Sequence, residues 1–357
     1  MKANGSKQDG IYDVPRRSFV AGLVALGASA FLPGCQSAGS SPAAGGGRPQ
    51  RIDVHHHFVS PGFSAALKAL GRNHPKWSPQ GSLEEMDKSG IATSITSLMN
   101  PGLWFGDVPL ARRLARDTNE YAAKLAADHR DRFGVFATVP LPDTEGSLKE
   151  IDYALSALKP DGFFLMTNYD GRYLGDEAFW PVLEELNRRK AVVYTHPLAA
   201  PCCAKLPTSV SASSIEYAVD TTRTMASLMF TGAAARYPDI RWIFSHSGGV
   251  TPFLLSRFQR EEIALKDKSR LPKGLMHELR KFYYDTAQGN HPGALAALMK
   301  IAPVSQVLYG TDFPFRDGAE VNDGLARYGF SAAELRAIDR DNALRLFPRL
   351  TTSSGGA

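Results

Sequence analysis

The sequence predicts a (β/α)8 TIM barrel. Three observations carry that expectation. Eight short runs rich in β-branched and aromatic residues recur along the chain, and segments with apolar residues three and four apart separate them. A histidine or aspartate ends the first, fifth, sixth and eighth runs. Barrels of this class place their chemistry at the C-terminal ends of their strands.

The chain begins with a segment that reads as an address rather than as fold. Arg16-Arg17-Ser18-Phe19 leads into an apolar run reaching Leu32 that is short and rich in Gly and Ala. It suits a signal peptide better than a membrane span. The paired arginines favour the twin-arginine (Tat) export route over the general secretory one. Leu32-Pro33-Gly34-Cys35 resembles a lipoprotein cleavage site, with Cys35 as the lipidated residue and Pro33 as a departure from the usual pattern. Residues 1–34 are therefore expected to be a cleaved signal and 35–49 a flexible Ser/Gly/Ala linker. The barrel is expected over 50–348, and a disordered tail over 349–357. The expected location is the periplasm or, through a lipid anchor, the cell envelope.

Within the barrel, strands are expected at 51–57, 91–98, 133–138, 162–166, 191–196, 241–246, 282–286 and 306–312. Helical periodicity marks 110–128, 148–158, 179–189, 215–237, 253–265 and 332–346. Strands alternating with helices specify a parallel α/β architecture. A doubly wound open sheet fits less well, because no Gly-rich phosphate loop follows the first strand. Pro61, Pro75 and Pro79 mark 59–82 as an elaborated first βα loop, expected to cover the site.

The chain of 357 residues carries a formal charge of +5 with its charges interspersed, so composition does not suggest a nucleic-acid partner. Beyond Cys35 the cysteines are Cys202 and Cys203, adjacent in sequence, which disfavours a disulfide framework. They follow the fifth run and are expected to be pocket-wall residues rather than metal ligands.

The chemistry-bearing residues form one set. His55 and His57 in Asp53-Val-His-His-His57 are two apart on a strand, so both face the barrel mouth, while His56 faces away. His196 ends the fifth run, His246 ends the sixth, and Asp312 closes Val307-Leu-Tyr-Gly-Thr-Asp312. Imidazoles and a carboxylate at one rim make a mononuclear divalent site. Nitrogen and oxygen donors without a required thiolate favour Zn²⁺, with Mn²⁺ as an alternative.

Those motifs, together with the segment 83–91, Thr195-His196-Pro197, Ser245-His-Ser-Gly-Gly249 and Gly310-Thr-Asp-Phe-Pro314, resemble the metal-dependent amidohydrolase superfamily over roughly residues 50–348. The resemblance lies in its amidohydrolase-related branch, which includes aminocarboxymuconate-semialdehyde and salicylate-type decarboxylases. Asn119-Glu-Tyr121, the stretch 184–190 and Asp220-Thr-Thr-Arg223 look most similar to 6-methylsalicylate decarboxylase-like members.

The resemblance implies that His55, His57, His196 and Asp312 hold one metal ion and that His246 acts beside the open coordination position. No lysine ends the fourth run, consistent with a single ion. It also implies a substrate-binding role for Arg257, reaching a neighbouring subunit in a homodimer; a solvated helix charge is the plainer reading. Asn100 and Trp104 stand at the end of the second run, where the semialdehyde decarboxylase has an arginine. They become the other candidate substrate contacts.

The function expected is non-oxidative decarboxylation of a small ortho-hydroxybenzoate-like acid. Asp312 would protonate the ring carbon and His246 would assist. The alternative is hydrolysis of a lactone, ester or amide by metal-bound hydroxide. A non-catalytic binding lipoprotein is a third reading. The substrate is a small carboxylate or lactone in either enzymatic case.

Overall fold

A computed structural model describes residues 50–203 and 209–352. The expected signal segment, Cys35 and the linker to residue 49 lie outside the described residues. Eight parallel strands follow one another around the sheet. They are β1 (Arg51–His57), β2 (Ile91–Ser97), β3 (Phe133–Thr138) and β4 (Gly162–Met166), then β5 (Val192–His196), β6 (Arg241–Phe244), β7 (Tyr283–Asp285) and β8 (Val307–Leu308). Helices cover the outside, so most strands are buried on both faces and read as near-continuous apolar runs. All residues of β3, β4 and β5 are buried.

The eighth strand is shorter than the expected 306–312. Its continuation still closes the barrel onto β1 through backbone bonds. Val54 N–H donates to Tyr309 O at 3.0 Å, Asp312 N–H to His55 O at 2.8 Å and His57 N–H to Phe313 O at 2.8 Å. Gly310 makes this closure possible, because a Cβ there would come within 2.9 Å of His55 Cβ and 3.0 Å of Asp285 Cβ.

The expected helices form, with two instructive differences. The stretch 215–237 divides into Ala212–Phe230 and Ala233–Arg236, because Gly232 adopts φ 88° and breaks the ladder. The first loop contains two helices, Pro61–Ala69 and Pro79–Ser89. Pro61 and Pro79 begin helices after Ser60 and Ser78, whose hydroxyls accept the N–H groups of Phe63 and Gly81. This insertion packs on the flank, with Ser60 Oγ 3.1 Å from Thr118 Oγ1 and Phe58 stacked on Tyr121. No residue of 59–82 lines the cavity beside His246. The helical chain also runs past 348, and residues 353–357 of the expected tail lie outside the described residues. Arg349–Thr352 form a short helix, held by a bidentate Arg349–Asp161 pair and by buried Leu350.

Candidate metal centre and active site

The barrel brings four of the expected residues together. One donor atom from each of His55, His57, His196 and Asp312 lies within 4.8 Å of the others, and all four residues are buried. His55 Nε2 is 3.1 Å from His57 Nε2, and Asp312 Oδ1 is 3.2 Å and 3.1 Å from the same two nitrogens. Ligands at bond lengths of about 2.0–2.1 Å around a tetrahedral ion stand roughly 3.3 Å apart.

Each imidazole is held from behind. His55 Nδ1 is 2.9 Å from Asp285 Oδ2, His57 Nδ1 2.9 Å from Leu98 O, and His196 Nδ1 2.9 Å from Pro197 O. Three acceptors behind the rings place the protons on Nδ1 and turn three Nε2 lone pairs inward. Asp312 Oδ1 is buried with no hydrogen-bond partner among the described residues.

The electrostatics agree with that arrangement. Burial, with His57, His55 and His246 nearby, holds His196 well below the usual imidazole range, and burial also lowers His57. Both are neutral donors. Burial opposes charge on His55, yet the carboxylates of Asp285 and Asp312 raise it to about 10. Positive charge is therefore favoured where the Nε2 atoms converge. Burial raises the Asp312 carboxyl, but His55, His246 and His57 reverse this and hold it well below the usual range. Two neutral imidazoles, a third whose surroundings favour positive charge, and an ionised carboxylate make a site suited to a divalent cation.

His246 stands just outside this set. Its Nε2 is 3.5 Å from Asp312 Oδ2, the oxygen that also accepts the Gln288 side-chain amide. A cavity of about 230 Å³ opens beside His246, lined in part by Tyr217, Ala218, Phe253, Gln288 and Arg316. A larger cleft of about 650 Å³ lies near Arg112 and contains none of the cluster. Arg112 and Arg116 there are already paired with Asp143, Glu145 and Glu150. His246, Ser247, Gln288 and Asp312 all have φ between 50° and 69°, a conformation that costs energy outside glycine. Such strain gathers at functional sites.

The remaining expected residues fare differently. Asn100 reaches the edge of the site by donating to Tyr217 OH at 2.6 Å, and the Tyr217 ring packs 6.0 Å from that of His196. Trp104 turns away, donating to Asp170 at 2.6 Å, and does not line the cavity. Arg257 is exposed on the helix Leu255–Ala264 and does not line it either. Cys202 is exposed and Cys203 half-buried, with sulfurs 3.4 Å apart, and neither forms a wall of this cavity. His56 faces outward as expected, bonded to Asp53 and Ser82 and stacked on Phe313. Sequence reasoning missed Asp285, Gln288 and Tyr217. Asp285 could have been found, since it ends the aromatic run Phe282-Tyr-Tyr284 as the ligands end theirs.

Comparison with known proteins places these observations. A family model described as amidohydrolase matches residues 52–349. Decarboxylase yanB of Aspergillus niger is 38% identical over 326 residues, covering 84% of this chain and 88% of the relative. The 6-methylsalicylic acid decarboxylase of Penicillium expansum is 34% identical over 313 residues, covering 84% and 97%. Among solved structures, one named amidohydrolase II superposes with a TM-score of 0.78 at 28% identity, over 84% of this chain and 99% of the other. A dihydroxybenzoic acid decarboxylase from Polaromonas, solved with manganese and the inhibitor 2-nitroresorcinol, has a TM-score of 0.70 at 21% identity, over 84% and 97%.

Proposed function

The chain belongs to the amidohydrolase family, and from that premise we propose that it is a metal-dependent, non-oxidative decarboxylase of a small aromatic acid with an ortho hydroxyl. The observation that carries the reading is the double use of Asp312. One of its oxygens sits among the ligand imidazoles and the other faces His246. The decarboxylase names of the relatives support the same reaction class.

His55, His57, His196 and Asp312 would hold the ion. Three imidazole nitrogens and a carboxylate oxygen suit Zn²⁺, and manganese is the ion named for the Polaromonas structure. When bound, a divalent ion supplies Lewis acidity toward the carboxylate and ortho oxygens of the acid. The chain's own groups handle the proton. Resting Asp312 is ionised, so a proton destined for the substrate reaches Asp312 Oδ2 from His246 Nε2. From Oδ2 it passes to the ring carbon bearing the carboxylate. The carbon–carbon bond then breaks, carbon dioxide leaves, and the bonding pair restores the aromatic ring. Tyr217, with Asn100 bonded to its hydroxyl, would flank the ring of the acid. Metal-loaded protein offered a panel of hydroxybenzoates and lactones tests the reading, with product mass and carbon dioxide followed together.

The proposal extends to assembly and location. Phe253 and Ile263 are 70% and 79% exposed on the segment that carries Arg257, a surface suited to a second copy of the chain. Light scattering that gives twice the chain mass would support that dimer. Export through the twin-arginine route, with Cys35 as a lipid anchor, rests on Arg16, Arg17 and the segment ending at Cys35.

A further inference from the structure

Asp285 ends β7 and is fully buried. Its two oxygens have different neighbours. Oδ1 accepts the backbone N–H groups of His246 at 2.9 Å and Ala287 at 3.1 Å. Oδ2 lies 2.9 Å from His55 Nδ1 and accepts the Tyr194 hydroxyl at 3.2 Å. A carboxylate has no proton to give, so the hydrogen bond to His55 requires the proton on Nδ1. The Nε2 lone pair is then left for the cluster. The Nδ1 atoms of His57 and His196 face the backbone carbonyls of Leu98 and Pro197. His57 Nδ1 also has Ser97 Oγ at 3.3 Å, behind its shorter contact to Leu98 O; His55 is the ligand histidine held at Nδ1 by a carboxylate, an acceptor that substitution can change.

We propose that Asp285 is a positioning residue that fixes the tautomer of His55 and thereby sets the affinity of the site for its divalent ion. This rests on reading the four-residue cluster as a metal site.

The surroundings make a sharp test possible. In Asp285→Asn the amide has one orientation that satisfies its neighbours. Its oxygen must face the two N–H donors of His246 and Ala287. Its NH₂ then faces Tyr194 OH, which can turn to accept, and His55 Nδ1, which must become an acceptor. The proton of neutral His55 moves to Nε2, where the ion would bind. The near-isosteric amide therefore opposes metal binding actively. Asp285→Ala removes the acceptor but imposes no tautomer. It also leaves two buried N–H groups unpaired, which costs stability.

A lock on the tautomer and a merely structural role predict opposite orders. Zinc affinity is measured by competition with a chromophoric chelator, and stability by thermal melting of the metal-free proteins. The lock predicts affinity falling about 10-fold in Asp285→Ala and about 100-fold in Asp285→Asn, the range set by groups that orient metal-bound histidines. Melting should rank the other way, with Asp285→Asn above Asp285→Ala. Zinc bound by Asp285→Asn as tightly as by Asp285→Ala, or more tightly, overturns the lock. A wild-type protein that takes up no zinc overturns the metal reading itself, a distinguishable result. Should the alanine variant fail to fold, metal-free Asp285→Asn carrying isotope-labelled histidine decides. Nuclear magnetic resonance should find the proton of neutral His55 on Nε2, and a proton still on Nδ1 with Nε2 bare overturns the proposal.

Discussion

His246 and Asp312 face each other across 3.5 Å, Nε2 to Oδ2, while the second carboxylate oxygen of Asp312 sits 3.1 Å from His57 Nε2. One carboxylate thus joins the cation-holding group to the imidazole left outside it. On the proposed reading that division would separate holding the ion from moving the proton, so that the two could be lost independently.

His246→Ala should keep near-normal metal content while turnover falls by roughly 10²–10⁴-fold, the usual worth of a positioned acid or base. Elemental analysis and steady-state rates on the same sample check this. If loss of His246 empties the site as completely as loss of a cluster histidine, His246 is a ligand and its role must be reassigned.

Metal content should be one divalent ion per chain. His57→Ala removes a donor whose Nε2 lies 3.1 Å from both His55 Nε2 and Asp312 Oδ1, so most of the metal should go with it. Two ions per wild-type chain, or an undiminished ion in the variant, would contradict a mononuclear centre. The same elemental analysis distinguishes zinc from manganese.

Asp53 offers a stability test apart from the chemistry. It is fully buried and accepts from His55 N–H at 3.0 Å and from Thr311 N–H and Oγ1 at 3.0 and 2.7 Å, with His56 Nδ1 3.1 Å away. It thus fastens β1 to the chain that follows β8. Asp53→Ala should cost on the order of 2–4 kcal/mol, because several buried donors lose their acceptor together. Thermal melting of the metal-free protein should fall by several degrees. A melting temperature within a degree of wild type would show that the barrel closes without this brace.

The architecture was legible because its signals are local. Eight apolar runs became eight strands, and His-x-His put His55 and His57 on one face, as period-two geometry requires. The four-residue cluster followed, since residues ending barrel strands converge on one rim. The helix Pro61–Ala69 and the first turn of Pro79–Ser89 were hidden because Pro61 and Pro79 read as breakers, although proline is tolerated in the first turn of a helix. Gln288 and Tyr217 were hidden because they stand on a loop and a helix, where neither spacing nor periodicity marks a side chain that lines a cavity. Arg257 shows the converse limit. The family resemblance implied a role for it, but an exposed helix position meets the cavity only if another copy of the chain brings it there.

The export proposal has its own test. Arg16→Lys combined with Arg17→Lys should leave the folded protein in the cytoplasm, because a receptor reads the arginine pair. Normal export of that double variant would indicate the general secretory route. Cys35→Ala should separately release the protein from membranes, and an exported wild type that is already soluble would rule out the anchor.

The reaction class is decided most directly by isotopes, since decarboxylation and hydrolysis would draw on the same four ligands and His246. A decarboxylase replaces the carboxylate on the ring with a proton from solvent. With an ortho-hydroxy aromatic acid in heavy water, the product should carry deuterium at that ring carbon, with an equal amount of carbon dioxide released. Hydroxybenzoates left untouched, together with solvent oxygen appearing in the acid released from a lactone or ester in heavy-oxygen water, would contradict the decarboxylase and leave a hydrolase built on the same barrel.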